Sequence, residues 1–333
     1  MNSIIDDLQD PASHPDRTEK VSVVQTHISV VFVADEFVYK VKKPVDFGFL
    51  DFSTLGKRKY YCHREVELNR RLSEGVYLDV LPVFFRGGRH SLWGGPEKAV
   101  EYAVKMKRIP DQSLMRSIFE ADGLTKDHLE RVAKLLAEFH LNTLRSPEID
   151  EFGEPERFRV NTDENFEQIE KYIGLTVEEK VFSALKRWTE AFYEENKALF
   201  YERIRQGRIR DCHGDLHMEH ICLTEPPSII DCIEFNDRFR YSDTIADIAF
   251  LLMDLEYNGG ASFSAALWDS YRDLAKEGEV ASLLMFYKVY RAIVRGKVIG
   301  FKVDDEAIGA VEKDEAVQTA RSYFDLAYSY IEN

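Results

Sequence analysis

Between residues 21 and 45, apolar and polar residues alternate with a period of two, in VSVVQTHISVVFVADEFVYKVKKPV. The alternation breaks at residues 25–29 and again at residues 34–36, so it predicts three antiparallel strands. In the third strand, alternate residues face the same side of the sheet. The two faces carry Val38, Lys40 and Lys42 on one side and Tyr39, Val41 and Lys43 on the other. A lysine is thereby predicted to point out of a rigid sheet.

A helical pattern follows these strands. In CHREVELNRRL, residues 62–72, Val66, Asn69 and Arg70 recur at helical spacing together with two leucines. The run predicts a helix that carries Glu65. Residues 76–106 return to strand patterns, VLPVFF and EYAVKMK, around a turn with the sequence GGRHSLWGG.

The pattern changes again at Ile109-Pro110, after which helical spacing dominates, beginning with SLMRSIF and DHLERVAKLLAEFHLNT. Further helices are predicted at roughly 161–173 and 177–206 and from residue 242 onward, with two short strands, HICLT and SIIDCI, before the last group. The expected fold class is α+β. The expected domains are a β-rich part at 1–106, a hinge at 107–110 and a helical part at 111–333.

Composition narrows the class of protein. The chain has 333 residues, 44% of them apolar and 31% charged, which is typical of a globular protein of two domains. The N-terminus, MNSIIDDLQDP, lacks a signal pattern, and Asp247 and Asp254 interrupt the most apolar window, TIADIAFLLMDLEY. We therefore expect a cytoplasmic protein with no membrane span.

The charge distribution bears on possible partners. A net charge of −15 argues against nucleic acid, because phosphate backbones are bound through excess lysine and arginine. Residues 37–71 nevertheless hold nine basic residues against four acidic ones, whereas residues 147–171 hold nine acidic residues against three basic ones. These segments favour an anionic and a cationic ligand respectively, or are two solvated surfaces.

The four cysteines, Cys62, Cys212, Cys222 and Cys232, form no C-x-x-C pair. Their spacing does not match the paired ligands of a structural zinc site. We expect reduced, buried side chains.

Candidate chemistry is concentrated in CHGDLHMEHICLT, residues 212–224. A loop carboxylate such as Asp215 can accept a proton from a substrate hydroxyl, and nearby histidines can hold the loop by hydrogen bonds. Asp231 follows the apolar run Ser228-Ile229-Ile230 and would stand at the end of a strand, where a carboxylate suits Mg²⁺. Phosphoryl transfer needs a cation on the phosphates, an anion fixing that cation, a base and a metal ligand. Lys40, Glu65, Asp215 and Asp231 are candidates for these four parts.

At these motifs the sequence resembles the aminoglycoside phosphotransferase family of the protein-kinase-like superfamily, whose kin include choline and fructosamine kinases. The resemblance covers roughly residues 21–300 and implies a two-lobed fold. It rests on VYKVKKP, REVELNRRL, LAEFH, HGDLHMEHI, IIDCIEF and SDTIADIAFLL. The chain resembles more closely an uncharacterised bacterial branch marked by YKVKKPVDFGFLDFSTL and IEFND, which often carries a P-loop ATPase domain. Since no G-x-x-x-x-G-K-[ST] occurs here, the kinase-like half alone is expected.

The resemblance implies a role for each motif. Lys40, fixed by Glu65, would bind the phosphates of ATP or GTP, with Thr26 and Ser29 near them. The purine base of the nucleotide would contact backbone groups of Lys107 and Ile109 in the hinge. The remaining roles are Asp215 as the catalytic base, Asp231 as the principal ligand of Mg²⁺ or Mn²⁺, and Asp247 as the buried brace of the catalytic loop.

Two departures from the family pattern matter. His220 stands where the family has a metal-binding asparagine, and an imidazole nitrogen favours Mn²⁺ or Zn²⁺ over Mg²⁺. Glu219 is a candidate source of the missing oxygen. The segment QTHIS, residues 25–29, contains no glycine to let the backbone approach a phosphate.

Several alternatives stay open at this point. Lys42 competes with Lys40, and Glu67 competes with Glu65. Glu234 is either a second metal ligand or solvated, and His213 and His217 either fix the loop or bind a ligand. The row of Lys288, Arg291 and Arg295 on one helical face either meets an anionic substrate or faces solvent.

Three functions follow in order of preference. The first is a small-molecule phosphotransferase; residues 147–171 suit a cationic acceptor, but the sequence does not identify it. The second is a pseudokinase that senses a nucleotide or binds a partner, favoured by His220 and the glycine-free loop. The third, a metallophosphoesterase, rests on Asp211-x-His213 and Gly214-Asp215-x-His217. The chain lacks the Asn-His dipeptide that this class needs.

Overall fold

A computed structural model describes residues 2–94, 98–305 and 308–332. The strands are β1 (Ser22–Gln25), β2 (Ser29–Val33), β3 (Phe37–Lys42), β4 (Tyr77–Arg86), β5 (Arg89–Ser91), β6 (Glu101–Lys107), β7 (Ile209–Asp211), β8 (Ile221–Cys222), β9 (Ser228–Ile229) and β10 (Tyr241–Asp243). The helices are α1 (Asn2–Leu8), α2 (Leu55–Asn69), α3 (Met115–Glu120), α4 (Lys126–Asn142), α5 (Pro147–Asp150), α6 (Pro155–Glu170), α7 (Glu179–Arg205), α8 (Asp237–Arg240), α9 (Thr244–Tyr257), α10 (Ala261–Ala275), α11 (Ala281–Gly300) and α12 (Ala310–Ser329).

The chain divides into two compact units. Unit 1 comprises Met1–Gly123 and Glu219–Asp237, and unit 2 comprises Leu124–Met218 and Arg238–Asn333. The first division therefore falls beyond the expected hinge at 107–110. One reason is a contact within unit 1, where the amide of Leu223 donates to the carbonyl of Ser113 at 2.7 Å. Whether residues 107–110 act as a hinge stays a prediction.

Unit 1 is built on a six-stranded antiparallel sheet with the order β1-β2-β3-β6-β4-β5. Its first three strands are those expected from the alternation, and β3 pairs with β2 so that Tyr39 lies opposite Phe32. Tyr39 and Val41 are buried in an apolar cluster on one face. The period of two then places Lys40 and Lys42 on the other face, as the pattern predicts.

Helix α2 packs on the face of the sheet that carries the lysines. Thr54 caps its first turn by accepting a hydrogen bond from the amide of Lys57 at 3.3 Å. Its buried face includes Cys62 and Val66, which cluster with Val104 of β6. The same face buries Glu65, so burial of the helix brings this carboxylate to the lysines.

Two details of unit 1 differ from expectation. Helix α1 has no counterpart in the predictions, because seven residues are too few to be helical by propensity and depend on tertiary packing, here of fully buried Leu8. The expected turn GGRHSLWGG contains a short strand, β5, that pairs with β4. Its last residue, Gly95, lies outside the described residues.

Unit 2 is mainly helical. Helix α9, the most apolar window of the sequence, is buried from Thr244 to Leu255 and shares a core with α6, α7, α11 and α12. The Asp243 side chain caps it by accepting from the amide of Ile245 at 3.1 Å. Among the residues that the structure describes, no helix is both long enough and apolar enough to cross a bilayer.

Candidate functional site

Lys40 and Glu65 form an ion pair in unit 1. The Lys40 ammonium lies 2.9 Å from Oε1 of Glu65 and 2.7 Å from Oδ1 of Asp231. The competing Glu67 is 67% exposed and pairs instead with Arg64 at 2.9 Å. The structure thus brings together three residues that lie far apart in the sequence and that the motifs selected for the phosphates and the metal.

Asp231 stands just after β9, and its backbone adopts a left-handed conformation with φ of 61°. This region is unfavourable for residues other than glycine, and such strain is common at functional sites. The amide of Asp231 donates to the hydroxyl of Tyr77 at 3.1 Å. The strained turn therefore holds the carboxylate at a fixed position, where it is 43% exposed.

The chain around Asp231 is attached to the end of helix α2 and to the residues just after it by two hydrogen bonds from backbone amides. The amide of Ile229 donates to the carbonyl of Leu72, and the amide of Cys232 donates to Oδ1 of Asn69, both at 2.9 Å. Nδ2 of Asn69 in turn donates to the carbonyl of Glu65 at 2.9 Å. Asn69 therefore links the helix of the glutamate to the segment of the aspartate, a role that the sequence motifs did not reveal. Its i, i+4 spacing from Glu65 is the only sequence signal for it.

Removing this link has a predictable cost. Asn69→Leu leaves the buried amide of Cys232 without its acceptor, so the free energy of unfolding should fall by about 1–3 kcal/mol. Chemical denaturation measures the loss. The control is Asn142→Leu, since exposed Asn142 also donates to a carbonyl four residues earlier, at 2.7 Å. Equal stability losses in the two variants would contradict the proposed link.

Lys42 and Glu234 complete the charge cluster. The Lys42 ammonium lies 2.6 Å from Oε2 of Glu65 and also pairs with Glu234, whose side chain is only 6% exposed. The expectation that Glu234 is solvated was therefore wrong, and its role as a second metal ligand stays a prediction. Both lysines contact the same glutamate, so Glu65 does not distinguish them, and the choice of Lys40 over Lys42 for the phosphates stays a prediction.

The electrostatics of the cluster follow from its composition. Burial acts to lower the pKa of Lys40, but Asp231 and Glu65 outweigh it and hold that pKa well above its usual value. Burial acts to raise the pKa of Glu65, but the two lysines outweigh it and lower that pKa. For Glu234, burial prevails over the attraction of Lys42 and raises the pKa.

Asp231 and His220 are the residues of the cluster that suit a divalent cation. Oδ2 of Asp231 lies 3.6 Å from Nε2 of His220, so a carboxylate oxygen and an imidazole nitrogen are available together. This donor pair fits Mn²⁺ better than Mg²⁺, which prefers oxygen ligands. The cluster also favours a cation by its charge, because three carboxylates face two ammonium groups.

The turn between β1 and β2 is tight. Oγ1 of Thr26 accepts hydrogen bonds from the amides of Ile28 and Ser29 at 3.3 and 3.0 Å, and the amide of Thr26 donates to the carbonyl of Ser29. The Ser29 side chain is fully buried. In this conformation the amides of Thr26, Ile28 and Ser29 already donate hydrogen bonds within the turn. Contacts of Thr26 and Ser29 with a phosphate stay predictions.

Lys107 and Ile109 lie at and just beyond the end of β6. The amide of Lys107 donates to the carbonyl of Val76 at 2.8 Å, and the amide of Arg108 donates to that of Glu36 at 2.8 Å. The amides of Lys107 and Arg108 are thus already used. A nucleotide base bound at this segment would therefore have to contact its carbonyl groups or Ile109. The expected role of Lys107 and Ile109 stays a prediction.

Asp215 belongs to unit 2, on the loop that follows β7. Its side chain is 35% exposed and lies 3.6 Å from Nε2 of His217. The amide of Asp215 donates to Nδ1 of His213 at 3.3 Å, and both histidines are buried. The loop therefore presents a partly exposed carboxylate on a rigid support, which is the geometry that a catalytic base needs.

The buried carboxylate of Asp247, on α9, fixes this loop. It accepts hydrogen bonds from the amides of His213 and Gly214, each at 2.8 Å, and contacts Nε2 of His140 at 3.2 Å. Gly214 has φ of 89°, a conformation that side chains disfavour. Burial acts to raise the pKa of Asp247, but the hydrogen bond to His140 and nearby positive charges hold it well below its usual value.

The basic row on α11 has a different role from either one expected. Arg291 is buried and donates to the carbonyl of Gly214 at 2.8 Å and to that of Ala246 at 3.1 Å. Lys288 pairs with Glu256 at 2.6 Å. Burial acts to lower the pKa of Arg295, but Tyr323 and nearby carboxylates outweigh it and raise that pKa. The row neither faces solvent nor is available as a group to an anionic substrate, and Arg291 instead supports the loop of Asp215.

Two possible metal groups in unit 2 do not fit a metal. Asp211, needed for the metallophosphoesterase hypothesis, is bound by fully buried Arg240 at 2.7 Å. His140, Cys212 and Asp247 lie close together, but burial raises the pKa of Cys212 well above its usual value, which opposes the thiolate form. As expected, the four cysteines form no disulfide and are buried.

Comparisons with known proteins bear on the family and the fold of the chain. The sequence profile of the phosphotransferase enzyme family matches residues 49–282. Uncharacterised proteins of Mycobacterium bovis and Mycobacterium tuberculosis are 34% identical over 288 residues, which is 86% of this chain and 56% of each relative. The chain thus spans about half the length of the curated relatives it matches.

Two solved structures resemble the chain over nearly its whole length. A choline/ethanolamine kinase family protein from Mesorhizobium loti has a TM-score of 0.52 and 13% identity, covering 94% of this chain and 92% of that one. A candidate aminoglycoside phosphotransferase from Ralstonia eutropha has a TM-score of 0.52 and 12% identity, covering 96% and 95%. At such identities the likeness shows the fold, and the expected kinase-like α+β class is confirmed.

Proposed function

Because the chain belongs to the phosphotransferase enzyme family, we propose that it transfers the γ-phosphoryl group of ATP or GTP to a hydroxyl of a small-molecule acceptor. The observation that carries the proposal is the contact of Lys40 with both Glu65 and Asp231. A lysine fixed by a glutamate, beside a carboxylate suited to a cation, supplies three of the four groups that phosphoryl transfer requires.

Each residue has a distinct task in this proposal. Lys40 leaves Asp231 and binds the nucleotide's phosphates, while Glu65 keeps its ammonium in place. Asp231, with His220, holds Mg²⁺ or Mn²⁺, and a cation there supplies neutralisation of the charge that develops on the phosphoryl group. The carbonyl groups near Lys107 and Ile109 contact the base of the nucleotide. Residues 107–110 are the proposed hinge.

Asp215 acts on the acceptor. Its carboxylate orients the acceptor hydroxyl and accepts its proton as the oxygen attacks phosphorus. His213, Asp247 and Arg291 hold the loop, so little reorganisation is needed when the acceptor binds. The acidic segment 147–171, most of it on α5 and α6, supports a cationic acceptor such as an amino alcohol or amino sugar. A cytoplasmic location, with its supply of nucleotide, is part of the proposal.

A second function is favoured by the β1–β2 turn. Because Oγ1 of Thr26 already occupies the amides of Ile28 and Ser29, the turn offers a nucleotide less than a glycine-rich loop does. His220 in place of asparagine weakens the case for Mg²⁺ further. A pseudokinase that binds a nucleotide or a partner without turnover is consistent with both features.

A transfer assay separates the two functions. Labelled ATP and GTP are offered with amino alcohols, amino sugars and neutral sugars, in Mg²⁺ and in Mn²⁺, to the wild type and to Lys40→Met. The phosphotransferase proposal expects acceptor-dependent transfer that Lys40→Met abolishes. Nucleotide-dependent thermal stabilisation without transfer to any acceptor identifies the pseudokinase. Neither transfer nor stabilisation with either nucleotide would refute both functions.

The metal preference is open to a separate test. His220→Asn replaces the imidazole nitrogen with an amide oxygen, so activity in Mg²⁺ relative to Mn²⁺ should rise by on the order of tenfold. Transfer rates in the two metals give the ratio. The control is His128→Asn, at a half-buried histidine in the first turn of α4. An unchanged ratio in His220→Asn would remove His220 from the metal site.

A further inference from the structure

Glu65 has a lysine on each of its carboxylate oxygens. Lys40 contacts Oε1 at 2.9 Å, and Lys42, on the same face of β3, contacts Oε2 at 2.6 Å. Each lysine also has a second carboxylate partner, Asp231 for Lys40 and Glu234 for Lys42. The cluster is therefore a pair of linked ion pairs that share one glutamate.

The two lysines differ in how readily their second partners can be exchanged. Asp231 is 43% exposed, so water, a cation or a phosphate can reach the contact between it and Lys40. Lys42 and Glu234 are almost fully buried, and the Lys42 ammonium also lies 4.8 Å from the centre of the Phe52 ring. Separating that pair would leave the Glu234 carboxylate without its lysine in the interior, while Lys42 would keep only Glu65. The outer pair is thus exchangeable and the inner pair is permanent.

Binding a nucleotide makes different demands on the two pairs. For Lys40 to hold phosphates and for Asp231 to hold a cation, their mutual contact at 2.7 Å has to break. Lys40 would then contact the phosphates of the nucleotide as well as Glu65. Lys42 still holds its other oxygen, so the glutamate does not have to move.

The inner pair also acts on the segment of Asp231. Glu234 is three residues beyond Asp231, and between them the amide of Cys232 donates to Asn69 of α2. Residues 231–234 are therefore attached to the sheet at both ends. The amide of Asp231 donates to Tyr77 of β4 at one end, and Glu234 pairs with Lys42 of β3 at the other. Loss of the pair frees the second end.

We propose that the Lys42–Glu234 pair is a permanent brace, which keeps Glu65 and the segment of Asp231 in position while Lys40 exchanges Asp231 for the phosphates of a nucleotide. The inference rests on the proposed phosphotransferase function. Lys42 and Glu234 are positioning residues here, since they act through Glu65 and through the chain that carries Asp231.

The test compares Lys42→Met, Glu234→Gln and the double variant Lys42→Met/Glu234→Leu with wild type. The matched control is Glu101→Gln, which breaks another buried ion pair of unit 1, formed with Arg58 at 2.8 Å. Two quantities are measured: hydrogen exchange of peptides covering 228–236 in nucleotide-free protein, and the affinity for ATP with Mg²⁺ or Mn²⁺ by calorimetry. Thermal unfolding reports stability in parallel.

The brace predicts a split between stability and binding. Lys42→Met and Glu234→Gln should raise exchange in 228–236 and weaken nucleotide affinity, each by about tenfold, whereas Glu101→Gln should lower stability alone. The double variant should regain stability, because it leaves no unpaired buried charge, while its affinity stays low.

The opposing outcomes are equally distinct. Nucleotide affinity that returns together with stability in the double variant would make the pair merely structural, as would equal exchange in Lys42→Met and Glu101→Gln. A wild-type protein that binds neither ATP nor GTP refutes the proposed function instead. In that case the exchange comparison alone decides whether Lys42 holds the segment of Asp231.

Discussion

Replacing Asp215 with asparagine is expected to lower the rate of phosphoryl transfer about 10²- to 10⁴-fold, the usual contribution of a general base. Asparagine keeps the shape of the side chain but cannot accept a proton from the acceptor hydroxyl. The side chain is partly exposed, so the free energy of unfolding should change by no more than about 0.5 kcal/mol. Single-turnover transfer rates and chemical denaturation measure the two quantities.

This prediction is specific because the transfer rate should fall while the affinity for the nucleotide stays the same. Nucleotide affinity should be unchanged, because the groups proposed to bind the phosphates are Lys40 and its neighbours in unit 1. Asp269→Asn, at an exposed helical aspartate of unit 2, is the matched control and should transfer at the wild-type rate. Transfer by Asp215→Asn at a rate close to that of the control would exclude Asp215 as the base.

Asp247→Asn is expected to lower the free energy of unfolding by about 3–5 kcal/mol, the cost of removing one partner from a buried ionic network. Its two oxygens accept the amides of His213 and Gly214, and an asparagine would direct an NH₂ group at one of these donors. The loop of Asp215 would lose its fixed position, so the transfer rate per folded molecule should also fall.

The pH dependence of this variant follows from the lowered pKa of Asp247. The unfolded carboxyl titrates near 3.8 and the folded one lower, so the ionised group stabilises the fold fully above pH 3.8. That stabilisation is lost as the pH falls below 3.8 toward the native pKa. The difference in unfolding free energy between wild type and Asp247→Asn should therefore be largest near neutral pH and should narrow in acid.

Asp254→Asn supplies a graded control on the same helix. Asp254 is also buried, but it accepts only one amide of the loop, that of Met218 at 2.9 Å. Its loss of stability should be smaller than that of Asp247→Asn. Chemical denaturation at pH 7 and pH 3 tests whether the loss in Asp254→Asn is smaller and whether the loss in Asp247→Asn narrows in acid. Equal losses, or a difference that widens in acid, would show that Asp247 does not carry the loop.

Local patterns predicted much of the fold. The alternation at 21–45 depends only on the period of a strand, so it identified the three strands and the shared face of Lys40 and Lys42. Apolar helical spacing likewise indicated α2, α4, α7 and α9. Helix α1 and strand β5 escaped prediction because neither is stable alone, and each is held by packing with the other, where Asp7 contacts His90 at 2.6 Å.

The sequence by itself determined which residue types are available for chemistry and on which faces they lie. It selected Lys40, Glu65, Asp215 and Asp231 through local motifs, because each motif is short. Only the tertiary structure decided which charges neutralise one another. Glu234 is a buried partner of Lys42 rather than a solvated residue, and Arg291 donates to the loop of Asp215. The physical reason is that a charge acquires its role from the desolvated groups around it, and those groups come from segments as distant as 192 residues along the chain.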